Sequence, residues 1–131
     1  MLFELLKKLF ILIFLISFIG CERNYSDDPN TQLIYASKEN NVNLLKIAIA
    51  KNADLNFRDK KGRTALHWAA YYGNIDAAKI LIMHGASLFV KDKNGLTPLD
   101  IAKMNNKIKF FKEINKFIKE NENGKSSFNR H

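Results

Sequence analysis

Cysteine occurs once in the 131 residues, at Cys21, so no intramolecular disulfide is possible. Histidine is almost as scarce. His67, His84 and His131, taken with Cys21, have no spacing that would build a zinc site. Glycine is sparse and scattered; Gly62 and Gly95 are single turn glycines and form no phosphate-cradling cluster. No serine or cysteine is placed with a base, and no carboxylate pair marks a cleft, so catalysis has no visible constellation. The reading is a non-enzyme that uses no cofactor and no metal. Acidic residues are the minority, 13 against 21 Lys and Arg, for a net charge of +8. That balance suits an acidic protein surface, anionic lipid or nucleic acid. Nucleic acid ranks last, because no nucleic-acid-reading motif is present.

A hydrophobic run long enough to span a bilayer is also missing. The first residues read MLFELLKKLFILIFLISFIGC. Lys7 and Lys8 make a positive start, an apolar stretch runs from Leu9 to Ile19 past Ser17, and small Gly20 precedes Cys21. The apolar stretch is about half of the roughly 20 residues that a span needs. Basic start, short apolar stretch and small residue are the three parts of a secretory signal. With Cys21 at the cut, the segment resembles a bacterial lipoprotein signal, Phe18-Ile19-Gly20-Cys21 standing in the place of the lipobox. The resemblance implies removal of residues 1–20, acylation of the Cys21 thiol, and a cell-envelope location outside the cytoplasmic membrane. Phe18 departs from the leucine preferred there, and an uncleaved signal anchor is the alternative. Residues 21–29 are polar and read as a tether spanning under about 30 Å.

The remainder repeats every 33 residues. Asp59 and Asp92 are one period apart, as are Gly62 and Gly95, Thr64 and Thr97, Leu66 and Leu99, and Ala69 and Ala102. One step back, Thr31, Leu33, Ala36, Asn41, Ala53 and Leu55 match Thr64, Leu66, Ala69, Asn74, Ala86 and Leu88. Thr64 and Thr97 are good helix N-caps, Pro98 suits a first helical position, and Gly73 suits a left-handed helix end. Ile75, Ala78, Leu81 and Ile82 recur at helical spacing as a buried stripe.

A run such as Asp59-Lys60-Lys61-Gly62-Arg63-Thr64-Ala65-Leu66-His67, followed by Ala69-Ala70, Gly73, Ile80-Leu81 and Gly85-Ala86, resembles the ankyrin repeat, with Ala65 in place of proline. The third copy begins Asp92-Lys93-Asn94-Gly95-Leu96-Thr97-Pro98-Leu99, and the first is degenerate. The resemblance implies an all-α solenoid of about three helix-turn-helix units with protruding loop hairpins. Repeats are expected at about residues 30–58, 59–91 and 92–120, within a domain at 30–120. No unit buries its apolar face alone, so stacking supplies the core. From Asn106 to Glu120 one arc carries Phe110, Phe111, Ile114, Phe117 and Ile118 and the other Lys109, Lys112, Lys116 and Lys119; this reads as the C-terminal cap. Residues 121–131 are polar and read as a disordered tail.

The same resemblance implies a monomeric protein-binding module whose surface is the loop tips and the exposed side of the first helices. By position this surface holds Lys60, Lys61, Arg63, Tyr71, Tyr72, Lys93, Asn94, Leu96 and Met104, with Lys38 and Glu39 from the first copy. The basic loop Asn56–Arg63 calls for a partner with an acidic surface. His67 is expected to bond across its loop with Thr64 rather than to act as a catalyst, and Trp68 to pack between repeats. The basic face of the last helix offers a second reading, contact with anionic lipid; contact with host molecules by a surface lipoprotein is a third.

Overall fold

A computed structural model describes residues 2–21 and 27–128, and every regular element among them is a helix. Helix α1 (Leu2–Cys21) is exposed all round over residues 2–13. Its acidic Glu4 and basic Lys7 and Lys8 interrupt the apolar pattern, and among the described residues no helix is long and apolar enough to cross a membrane. Most of the expected tether, residues 22–26, lies outside the described residues.

The repeating array starts one residue earlier than the sequence pattern suggests. Helix α2 (Pro29–Lys38) has Asp28 as its N-cap, the carboxylate accepting from Thr31 N–H at 2.9 Å, with Pro29 in the first turn. Asp-Pro is therefore a helix start and not the end of a tether: the aspartate satisfies an orphan donor and proline has no N–H to satisfy. Then follow α3 (Val42–Ala50), α4 (Ala65–Tyr72), α5 (Ile75–Met83), α6 (Pro98–Met104) and α7 (Ile108–Phe128). Thr64 and Thr97 cap α4 and α6 in reciprocal capping boxes with His67 and Asp100.

The backbone repeats at the period of the sequence. Asn41, Asn74 and Lys107 donate their N–H groups to Ala36, Ala69 and Ala102 at 2.9, 2.8 and 2.8 Å. The residue before each is left-handed: Asn40 (φ 51°), Gly73 (φ 73°) and Asn106 (φ 54°). Asparagine tolerates that region better than other side chains, so it serves where glycine is absent. These turns fold each second helix back on its first. Helices α2, α4 and α6 then pack side by side in one layer and α3, α5 and α7 in the other.

The layers close on a core of Leu33, Leu45, Leu66, Leu81, Ile101, Phe110 and Ile114, each fully buried, as are Ala36, Ala69 and Ala102 at one repeat position. The alanines let the first helices approach one another. Of the expected α5 stripe, Ala78 and Leu81 are buried and Ile75 and Ile82 are half-buried; Ala77 is buried beside them. Helix α7 ends the stack with Phe110 and Ile114 inward and Lys109, Lys112, Lys116 and Lys119 outward. It continues to Phe128, through residues 121–128 where composition suggests a disordered tail. Apart from Gly124 the continuation holds no helix breaker, and residues 121–125 are solvent-exposed.

Candidate protein-binding face

Between α3 and α4 the chain makes a tight turn, Asp59 N–H bonding to Arg63 O and Gly62 N–H to Asp59 O, both at 2.9 Å. Asp59 ties the turn from inside. Its Oδ1 accepts from the N–H groups of Lys61 (2.9 Å) and Arg63 (3.0 Å), and its Oδ2 from the Trp68 indole at 2.7 Å. Partial burial opposes ionisation of Asp59, but these donors, with the nearby charge of Lys38, outweigh it and hold the carboxyl below its ordinary range.

Asp92 builds the same turn one period later, its Oδ1 accepting from Asn94 N–H (2.9 Å) and Leu96 N–H (3.0 Å). Where Trp68 stands in the second unit the third has Ile101, which has no donor to offer. Arg63 fills the gap across the repeats, its Nε 3.3 Å from Asp92 Oδ2. Two further bonds join the turns: Lys93 N–H to Lys61 O at 3.1 Å and Arg58 Nη2 to Lys91 O at 2.7 Å. The tips thus form hairpin-like turns held edge to edge, with no strand among the described residues.

Trp68 packs between repeats as expected and is only 8% exposed. Its ring gathers cations from two units. Lys38 Nζ lies 4.0 Å from the ring centroid, the Arg63 guanidinium 5.0 Å and Lys61 Nζ 5.6 Å. Tyr71 meets the indole edge-on at 5.8 Å and Tyr72 stacks on it at 6.3 Å. Both tyrosines are exposed, and they belong to the last turn of α4. Lys38, Tyr71 and Met104 hold one position in three successive units and make a row along the first helices. Met104 is exposed at its far end.

His67 has the structural role foreseen for it. The Thr64 backbone N–H can only donate, so the His67 Nδ1 that it meets at 3.0 Å is the unprotonated nitrogen. Nε2–H then donates to Leu96 O at 2.9 Å, tying the second unit to the third. Burial leads the causes that push the His67 pKa below 6.5. His84 closes α5, its Nδ1 2.8 Å from Ile80 O. Among the described residues no group of His, Cys, Asp and Glu is arranged to hold a metal ion.

Of the residues foreseen for binding, Lys60, Lys61, Lys93 and Asn94 are exposed at the turn tips. Tyr71, Tyr72 and Met104 are exposed on the first-helix layer. Arg63 is committed to Asp92, its side chain 14% exposed. Leu96 is half-buried, and its carbonyl serves His67. Sequence reasoning placed Lys38 on this face but not on Trp68. The signal was present, since Lys38 lies one period before Tyr71, beside the tryptophan.

The family model described as ankyrin repeats (3 copies) matches residues 4–92, more than half of the chain. The matched stretch begins inside α1 and ends where the third unit begins. That unit repeats the turn, the capping box and the Lys107–Ala102 bond of its predecessors. No curated protein matches the chain. Ankyrin repeats typically serve as non-enzymatic modules that bind protein partners. The chain belongs to the ankyrin-repeat family.

Proposed function

We propose that this ankyrin array recruits a protein with an acidic surface to the bacterial cell envelope, held there by lipid on Cys21. The observation that carries the binding half is the exposed Tyr71–Tyr72 pair, locked against Trp68 and flanked by lysines at the turn tips. Rigid, partly exposed aromatics beside cations are the usual anchors of an interface. The anchoring half is supported by Lys7, Lys8, the apolar run and Gly20-Cys21. It is supported too by the apolar residues of α1, exposed over residues 2–13, which no soluble helix keeps at low cost.

Both halves are open to direct test. Cross-linking in intact cells, with the trapped protein identified by mass spectrometry, is expected to yield a partner whose capture fails for Tyr71→Ala with Tyr72→Ala. The loss is on the order of thirtyfold, matching ~2 kcal/mol for a hot-spot aromatic. The double variant must melt like the parent, so that lost capture is not lost folding. Intact-mass measurement of the membrane fraction is expected to show a chain that begins at an acylated Cys21. An unmodified cysteine there ends the anchoring claim.

The exposed lysines of α7 favour a second reading, in which Lys112, Lys116 and Lys119 meet anionic lipid. Capture that survives the tyrosine changes but fails when these lysines are replaced by serine would install that reading in place of the first.

A further inference from the structure

Lys38 and Lys61 come from different repeats and bring their ammonium groups to 4.0 and 5.6 Å from one indole centroid. Like charges repel, yet half-buried Lys38 and exposed Lys61 converge on the same ring. Arg63 stands in the same group, but its charge is answered by Asp92. Asp59 feels the charge of Lys38, but both its oxygens are engaged by the N–H groups of Lys61, Arg63 and Trp68. Among the described residues neither Lys38 nor Lys61 is ion-paired. The exposed rings of Tyr71 and Tyr72 border the pair and supply apolar surface and two hydroxyls. The result is a pair of cations on an aromatic floor, near the Asp59 charge but in ion-pair contact with no carboxylate.

We propose that Lys38 and Lys61 are the anion-reading pair of the partner site. A glutamate or aspartate of an acidic peptide segment is held between the two ammonium groups, while a neighbouring apolar residue rests on Tyr71 and Tyr72. This rests on the protein-binding reading above and assigns its charge recognition to two residues. Arg63 is excluded from that recognition because its guanidinium is spent on the junction between the second and third units. The site spans the first and second units, so the degenerate first repeat has a function through Lys38. Charge pairs of this kind fix the register of a bound segment and raise its association rate.

Trp68 is the only tryptophan in the chain and forms the floor of the site, so its emission reports occupancy directly. The full chain, solubilised in a non-ionic detergent, is titrated with a synthetic Glu-Glu-Leu repeat peptide and with its Gln-Gln-Leu counterpart. The acidic peptide is expected to change Trp68 emission saturably, and the neutral one not to. Lys38→Gln and Lys61→Gln are each expected to weaken the titration about tenfold. Lys38 is half-buried over Trp68 and Lys61 is exposed, and unchanged melting verifies that the fold is kept. Equal binding of the neutral peptide overturns the proposal. So does an unaltered titration of the two variants, or an emission change evoked by anionic phosphatidylglycerol vesicles and not by the peptide. Cellular cross-linking separates this proposal from the reading beneath it. Capture that persists in the lysine variants but fails in the tyrosine double variant refutes the charge assignment and leaves the binding module standing. Capture indifferent to both sets of changes refutes both.

Discussion

Gly62 and Gly95 have nearly the same backbone, φ 71° and 75°, at the same place in two turns. Their surroundings differ. A Cβ on Gly62 would stand 2.9 Å from Arg58 Nη2 and 3.0 Å from the Lys93 backbone nitrogen, whereas one on Gly95 meets nothing within 4 Å. Gly95→Ala therefore carries only the left-handed penalty of about 1–2 kcal/mol. Gly62→Ala carries the same penalty and also displaces the Lys93–Lys61 bond or the Arg58 side chain that join two turns. Chemical denaturation of the two variants is expected to show the larger loss for Gly62→Ala. Equal losses would mean that the turns are not held edge to edge. The asymmetry is invisible in the sequence, where both glycines occupy the same motif; it arises because the second turn has a neighbour in front of it and the third does not.

At the scale of the helices, stability resides in leucines packed from both sides. Leu66 on α4 and Leu81 on α5 are fully buried in the middle unit. Truncating either to alanine is expected to cost about 2–5 kcal/mol, against a total of about 5–15 kcal/mol for a domain of this kind. Each change should lower the thermal midpoint by many degrees, and a midpoint that hardly moves for both would show that the core is misplaced. These positions were legible in the sequence, Leu66 from its 33-residue identities with Leu33 and Leu99 and Leu81 from the helical stripe of Ile75, Ala78 and Ile82. The left-handed turns at Asn40 and Asn106 were harder to see, since asparagine stands where the middle unit has Gly73. The start of α2 was missed for a different reason. Asp28-Pro29 has the chemistry of a cap and a first turn, but without a full first repeat behind it the pair reads equally well as a polar linker. The far end of α7 was missed because polar composition says little about a helix that packs only its first turns. The candidate site was legible as a row of positions and not as a cluster. Periodicity places Lys38 and Tyr71 in line, but only the packing of α2 on α4 brings the Lys38 amine over Trp68.

The whole molecule is a short stack, and part of its pH dependence comes from a histidine at a junction between units and from the aspartates that tie its turns. Neutral His67 bridges the second and third units, accepting from Thr64 and donating to Leu96 O. Burial disfavours the charged ring and leads the causes that hold the folded pKa below 6.5; a proton on Nδ1 would also face the Thr64 N–H. The unfolded chain then binds the proton first. Stability is complete above pH about 6.5 and declines as pH falls through that value. Asp59 and Asp92 act in a lower window. Their folded pKa values lie below 3.8, because N–H donors, and Arg63 for Asp92, outweigh burial. Their contribution is present above pH about 3.8 and is lost as pH falls through the depressed folded values. Acid should therefore weaken the array in two stages, and the first belongs to one residue. Denaturation midpoints measured from pH 7.5 to 5 are expected to fall in the parent. His67→Gln is expected to begin lower, having lost buried hydrogen bonds worth about 1–3 kcal/mol, but to run nearly flat across that range. A variant that slopes as steeply as the parent would move the titration to another group and leave His67 as a capping residue alone.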